Sequence, residues 1–312
     1  MRAFLFPGQG SQAVDMGAAL AGASRAAHDV FAEVDEALQQ NLSRLMRVGP
    51  DEELRLTENA QPAIMANSLA VLAALTRDGG IALTTAAQFV AGHSLGEYSA
   101  LCAAGTFDLA TTARLLKHRG QAMQSAVPVG VGAMAALLGA DLALAQKIAD
   151  AAAQGEVCTV ANDNDPSQVV LSGHTGAIER AIAMAKEMGA KRAVSLPVSA
   201  PFHCPLMQPA ADAMDKLFGE TRFCAPTVPL YANVTAAAEC DPETIQRLLV
   251  EQVTGMVRWR ESIANMAEAG VGEFVELGGK VLGGMVKRIA PDAKVTSVVT
   301  IDDIEALAKE IA

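Results

Sequence analysis

The stretch Phe89-Val90-Ala91-Gly92-His93-Ser94-Leu95-Gly96-Glu97-Tyr98 decides how this chain is read. An apolar run ends at Ala91, the pentapeptide Gly92-His93-Ser94-Leu95-Gly96 follows, and a helix-forming segment runs on through Leu101. G-x-S-x-G between a strand and a helix is the pattern of a nucleophile elbow. The glycines at 92 and 96 leave room for a tight turn that pushes the Ser94 hydroxyl out beyond the sheet edge. The helix that begins there points its free N–H groups and the positive end of its dipole at the same spot, where developing negative charge can be held. Such a site serves covalent acyl chemistry. The five residues alone also fit a turn with a solvated serine.

Working outward, strand-like and helix-like segments alternate. Ala3–Phe6 reads as a strand, and Ala26–Gln40 has helical spacing (Val30, Phe31, Val34, Leu38). Gln61-Pro62 opens a long helical stretch to Leu75, Gln88–Ala91 reads as a strand, and Leu109–Met123 is helical again. This alternation predicts a parallel sheet covered on both faces. The pattern changes at the glycine-rich joint Pro128-Val129-Gly130-Val131-Gly132. Beyond it come a strand (133–138), a helix from the N-cap Asp141 to about 154, and a strand (157–161). A turn at Asn162-Asp163-Asn164-Asp165-Pro166 leads to a strand (168–172), a helix (175–188) and a strand (192–196). Strand–helix–strand–strand–helix–strand is the ferredoxin-like order. The expected fold class is therefore α/β: a large domain with a parallel central sheet (1–126 and 199–312) and an inserted ferredoxin-like α+β subdomain (127–198).

Composition narrows the function classes. Hydrophobic residues make up 51% of the 312, aromatics only 4%, which suits tightly packed helices on a sheet. The net charge of −11 offers no basic footprint for nucleic acid. No apolar run is long enough to span a membrane, and Met1–Gly8 reads as a first strand, not a leader. A cytoplasmic location is expected. Five scattered cysteines without C-x-x-C spacing argue against a disulfide framework or a zinc site. Cys204 adjoins His203, but neighbours on an extended chain point to opposite sides, so a buried thiol is the reading there.

A serine nucleophile needs a base, and there are five histidines. His28 and His118 lie on helices among charged residues, His174 lies at a turn, and the His93 side chain points away from Ser94's. That leaves His203, held by Pro201 and Pro205 in a stiff segment; the alternative is a satisfied loop histidine. Arg119, on a largely apolar helix, either reaches out to solvent or clamps a substrate carboxylate through a bidentate pair. Gly8-Gln9-Gly10-Ser11-Gln12-Ala13 fits the relaxed dinucleotide fingerprint. It lacks the acidic residue that should end a strand about 20 positions on, and a better use is to turn backbone N–H groups toward the elbow.

Together these residues resemble the malonyl-CoA:acyl carrier protein transacylase family of fatty-acid and polyketide synthesis. The likeness runs from Phe6-Pro7-Gly8-Gln9-Gly10-Ser11-Gln12 through Gln61-Pro62, Gly92–Glu97 and Arg119-Gly120-Gln121-Ala122-Met123. It continues to Ala161-Asn162, Pro201-Phe202-His203 and Gly278-Gly279-Lys280-Val281-Leu282. The resemblance implies an α/β-hydrolase-like large domain with a ferredoxin-like insert. It implies Ser94 as nucleophile, His203 as general acid/base, and the Gln9 and Leu95 N–H groups as oxyanion hole. Arg119 would hold the malonyl carboxylate, the Gln252 main-chain carbonyl would orient the histidine, and Asn162, Phe202 and Gln61 would border the cleft. Malonyl-CoA and acyl carrier protein are the implied partners, with no cofactor or metal, and a monomer is expected. Phe202 and Leu95 resemble the malonyl-selective members, which crowd out an α-methyl group. The usual Gly-Pro-Gly-Lys is here Gly278-Gly279-Lys280, a local departure.

Three alternatives share these residues. A serine esterase or thioesterase would take its third member from Asp141, Asp150, Asp163 or Asp165. A non-catalytic carrier-binding module would not use the pair. A discrete acyltransferase could serve a polyketide or malonate decarboxylase system. Carrier proteins are expected to be acidic, so docking on this acidic chain calls for a local basic patch such as Lys191, Arg192, Lys287 and Arg288.

Overall fold

The computed structural model describes residues 1–311. Among them, ten strands form two sheets. In chain order they are β1 (Arg2–Phe6), β2 (Phe89–Gly92), β3 (Gly132–Leu138), β4 (Cys158–Asp165) and β5 (Gln168–His174). There follow β6 (Arg192–Ser195), β7 (Leu230–Ala232), β8 (Ala237–Glu239), β9 (Glu273–Leu277) and β10 (Lys294–Val298). The larger sheet has the order β10-β9-β1-β2-β7-β8. Its pairings are parallel except for the short edge hairpin β7–β8.

A strand buried on both faces alternates its side chains between two cores. Along β1, Phe4 and Phe6 enter one apolar cluster, and Ala3 and Leu5 enter another with Trp259 and Phe274. The first cluster holds the helices Arg25–Leu38, Thr57–Arg77 and Leu109–Ser125; the second holds Trp259–Glu268 and Leu282–Ile289. Among the described residues no helix is long and apolar enough to cross a membrane.

The smaller sheet is antiparallel, ordered β4-β5-β3-β6, and packs the helices Leu142–Ala153 and Thr175–Ala185 on a core of its own. That order and the intervening helices make it ferredoxin-like, inserted between the helix Leu109–Ser125 and the segment carrying His203. Asp141 caps its first helix by accepting from the Leu144 N–H at 2.8 Å.

Two sequence expectations need correction. Asn162–Asp165 is not a turn: it is the second half of β4, buried throughout, and only Pro166-Ser167 turns. Two register shifts accommodate it, at Val160/Asn162 and Asp163/Asp165. Its turn-forming side chains are satisfied by other elements: Arg260 pairs with Asp163 and Arg288 with Asp165, each at 2.8 Å. The His93 ring bonds the Asn164 Oδ1 at 2.9 Å. Tertiary partners have overridden a local propensity. Likewise the long helix starts at Thr57, so Pro62 lies inside it. As the sixth residue of that helix, Pro62 lies past the four N–H groups that lack intrahelical partners, and it withholds the N–H that would bond the Glu58 carbonyl.

The Gly278-Gly279 loop packs tightly without the family's proline. A Cβ on Gly278, where φ is 81°, would sit 2.7 Å from the Ser68 Cα, and one on Gly279 would sit 2.8 Å from the Pro7 ring. Glu276 then accepts from the N–H groups of Val281, Leu282 and Gly283 at the start of the next helix.

Candidate active site

β2 ends at Gly92, register partner of Phe6 at the end of β1, and the chain turns sharply into the helix Gly96–Ala103. Ser94 sits at φ 54°, a left-handed conformation that L-residues adopt only when held. The glycines make the turn possible: a Cβ on Gly92 would run into the Gly96 backbone, and one on Gly96 into the carbonyl of Phe6. Asn233, after β7, does the holding. It accepts from the Ser94 N–H at 2.8 Å and donates to the Gly92 carbonyl at 2.7 Å.

His203 is also left-handed, at φ 56°, within Pro201–Pro205. Its Nε2 lies 2.8 Å from the Ser94 Oγ, and its Nδ1 lies 2.8 Å from the Gln252 main-chain carbonyl. A carbonyl only accepts, so Nδ1 carries the proton and Nε2 presents its lone pair to the serine hydroxyl. Burial first, and the Arg119 charge second, push the imidazole down to about 3, so it is neutral near pH 7. The neighbouring Cys204 thiol turns away to the Pro201 carbonyl at 3.1 Å, and burial raises its pKa.

Arg119 does not reach solvent. It is 1% exposed, on the helix Leu109–Ser125. Its guanidinium donates to Gln61 Oε1 (2.9 Å), Gln252 Oε1 (2.9 Å) and Ser94 Oγ (3.2 Å), and lies over the Tyr98 ring at 5.5 Å. All three acceptors are neutral, and among the described residues its Nε has no partner. Burial lowers its pKa, and the site holds a cation short of a counter-charge. Thus the Ser94 hydroxyl can donate to His203 while accepting from Arg119.

The N–H groups around the elbow are nearly all taken. His93 donates to Phe6, Ser94 to Asn233, Gly96 to His93, Glu97 to Ser94 and Tyr98 to Leu95. Among the described residues, those of Leu95 and Gln9 have no such acceptor. The Gln9 loop lies close over the elbow, for a Cβ on Gly8 would sit 2.6 Å from the His93 carbonyl. A cavity of about 240 Å³ opens here. Gln9, Gln61, Ser94, Leu95, Arg119, Phe202 and His203 line it from the large domain, and Asn162, Met134 and Leu196 from the side of the small sheet.

The sequence-predicted residues therefore converge. Gln252 does more than expected: its side chain binds Arg119, the Ser94 carbonyl at 3.0 Å, and Glu97. Asn233 went unread because a lone asparagine after a short strand carries no signal. The esterase reading loses its acid: Asp163 and Asp165 pair with arginines, Asp141 caps a helix, and Asp150 bonds Gln146.

A strained serine beside a neutral imidazole, at the carboxyl end of a parallel sheet, is the geometry of α/β enzymes that work through an acyl-serine, hydrolases and acyltransferases alike. The family model described as "Acyl transferase domain" matches residues 3–281. The malonyl CoA-acyl carrier protein transacylase of Escherichia coli (strain K12) is 46% identical over 288 residues, covering 92% of each chain. The crystal structure of acyl-carrier-protein-S-malonyltransferase from Bartonella henselae superposes with a TM-score of 0.97 at 51% identity, covering 99% of each chain. A type II PKS acyl-carrier protein in complex with its malonyl-transacylase matches with a TM-score of 0.95 at 40% identity, again over 99% of each chain. The chain belongs to the malonyl-CoA:acyl carrier protein transacylase family.

Proposed function

We propose that this enzyme moves the malonyl group from malonyl-CoA to the phosphopantetheine thiol of acyl carrier protein through a malonyl-serine on Ser94, supplying extender units for fatty-acid synthesis. The observation that carries the reading is one oxygen, Ser94 Oγ, shared between His203 at 2.8 Å and Arg119 at 3.2 Å inside one cavity.

In the first half-reaction His203 Nε2 takes the hydroxyl proton as Oγ attacks the thioester carbonyl. The tetrahedral oxyanion faces the Gln9 and Leu95 N–H groups, each worth roughly 3–4 kcal/mol where water is excluded. The C–S bond breaks, and His203 returns the proton to CoA sulfur. In the second, His203 takes a proton from the carrier's thiol, the sulfur attacks the malonyl-serine ester, and the C–O bond breaks as His203 returns that proton to the Ser94 Oγ. The Gln252 carbonyl keeps the imidazole in its productive tautomer throughout, where hydrolases commonly place a carboxylate.

Arg119 selects the substrate. The malonyl carboxylate supplies the counter-charge the site lacks, and such a pair is worth about 1.5–3 kcal/mol, a ten- to hundredfold preference over acetyl. Gln61, Asn162 and Phe202 border the acyl chain, and Phe202 and Leu95 leave little space for an α-methyl. No cofactor enters these steps.

On the same reading the protein works in the cytoplasm as a monomer, with 1–126 and 199–312 as its catalytic domain and 127–198 as the insert. Lys191, Arg192 and Lys287 are exposed and form the carrier's docking patch with Arg288, which also serves Asp165. Carrier binding that ignores ionic strength would remove that patch from the account.

Initial-rate kinetics test the reading. Double-reciprocal plots against malonyl-CoA at several carrier concentrations should be parallel. Without carrier, CoA release should stop after about one equivalent of enzyme. Continuous CoA release without carrier would make the protein a thioesterase instead.

A further inference from the structure

Glu97, one turn from the nucleophile, is 1% exposed, forms no ion pair within 4 Å among the described residues, and does not line the cavity. Buried carboxyl groups are costly unless their oxygens are satisfied. Its Oε1 accepts from the Asn233 N–H at 3.2 Å, and its Oε2 accepts from the Gln252 side-chain amide. Both partners go on to the reacting centre. Asn233 holds the Ser94 N–H, and the same Gln252 Nε2 reaches the Ser94 carbonyl. The other end of that amide, Oε1, accepts from Arg119 at 2.9 Å.

An amide side chain can be turned over, exchanging its donor and acceptor ends. Turned over here, the Gln252 oxygen would face a carboxyl oxygen, and its NH₂ group would face the guanidinium. Glu97 at one end and Arg119 at the other thus specify the same orientation. Resting on the reading of Arg119 as the malonyl clamp, we propose that Glu97 is a positioning residue. Its carboxyl group fixes the Gln252 amide, which in turn holds the Arg119 guanidinium where it meets a substrate carboxylate. Malonyl selectivity then depends on a side chain that never touches substrate. Burial also drives the Glu97 pKa up to about 8; the protonated carboxyl keeps an acceptor oxygen for the Gln252 amide, and Arg119 at the other end still excludes the turned-over orientation.

The test is the ratio of kcat/KM for Ser94 acylation by malonyl-CoA to that by acetyl-CoA. A residue needed only for folding lowers both rates together. Glu97→Gln, the same size but able to present NH₂ to Gln252, is expected to lower the ratio by roughly tenfold, the malonyl rate falling further than the acetyl rate. Glu97→Asp, whose carboxyl group is withdrawn by one methylene, should lower it as well and serves where Glu97→Gln does not fold. In an Arg119→Ala background the Glu97 change should have no further effect on the ratio. Equal loss of both rates, or a ratio within about twofold of wild type in either variant, overturns the proposal for Glu97. If Arg119→Ala alone leaves the ratio unchanged, the clamp reading itself fails, a separate outcome.

Discussion

The two sheets handle buried polarity in opposite ways. Beneath the small sheet, the carboxylates of Asp163 and Asp165 are almost fully enclosed, yet each meets an arginine from the large domain. Asp165 also accepts from the Ser167 N–H and hydroxyl. β4 is joined to the large domain further by Asp163 N–H to the Val257 carbonyl and Val257 N–H to the Ala161 carbonyl. At the mouth of the large sheet, Arg119 has only neutral acceptors, Leu95 and Gln9 hold N–H groups without such acceptors, and Ser94 and His203 keep left-handed backbones. Compensated charge fastens one part of the molecule to another. Polarity left short of partners, together with backbone strain, marks where a substrate completes the structure.

Substitutions at the elbow should therefore cost chemistry, and those at the latch should cost stability. The largest effect belongs to His203→Ala, expected to slow Ser94 acylation on the order of a thousandfold. Its thermal melt should lie close to wild type, since the variant removes no paired charge. Next comes Arg119→Ala, which should lower kcat/KM for malonyl-CoA by about ten- to a hundredfold while retaining some acetyl transfer. Unchanged malonyl kinetics in that variant would erase the contrast between the two regions.

Arg288→Met probes the other side. It leaves the Asp165 carboxylate buried without its cation and should cost about 3 kcal/mol of unfolding free energy in denaturant, the low end for a broken buried pair because Arg288 is half exposed. Acylation by malonyl-CoA should change less than about twofold, since neither Arg288 nor Asp165 lines the cavity.

Near neutral pH the smallest effects are those of titration. An imidazole held at about 3 stays a base well below its ordinary 6.5, so kcat/KM should show no acid limb near 6.5. Stability follows the same sign: the depressed histidine contributes fully above 6.5, and that contribution is lost as pH falls toward 3. Glu97 has the opposite sign. Raised to about 8 by burial, it contributes fully below 4.5 and less as pH rises through 8. An acid limb centred at 6.5 in the free enzyme would mean that His203 is more solvated than its surroundings allow.

Much of this was legible in the sequence because the relevant signals were local. The elbow is a contiguous strand–turn–helix pattern, and the insert shows its order through alternating periodicity. Asn162–Asp165 misled because its composition favours a turn, and the arginines that hold it in a strand lie about 100 residues further on, at 260 and 288. β7, β8, β9 and β10, four of the six strands of the large sheet, lie beyond His203, where short strands give weak periodicity. The Glu97–Gln252–Arg119 chain links positions distant in sequence. A buried glutamate just after the elbow reads locally as an ordinary first-turn acid favoured by the helix dipole.

The account turns on Ser94 accepting a malonyl group, and intact-protein mass spectrometry reads that directly. Wild-type enzyme mixed with malonyl-CoA should gain the mass of one malonyl group, lose it on addition of holo carrier protein, and show no gain as Ser94→Ala. An unmodified wild-type mass, or an adduct that survives Ser94→Ala, would contradict it.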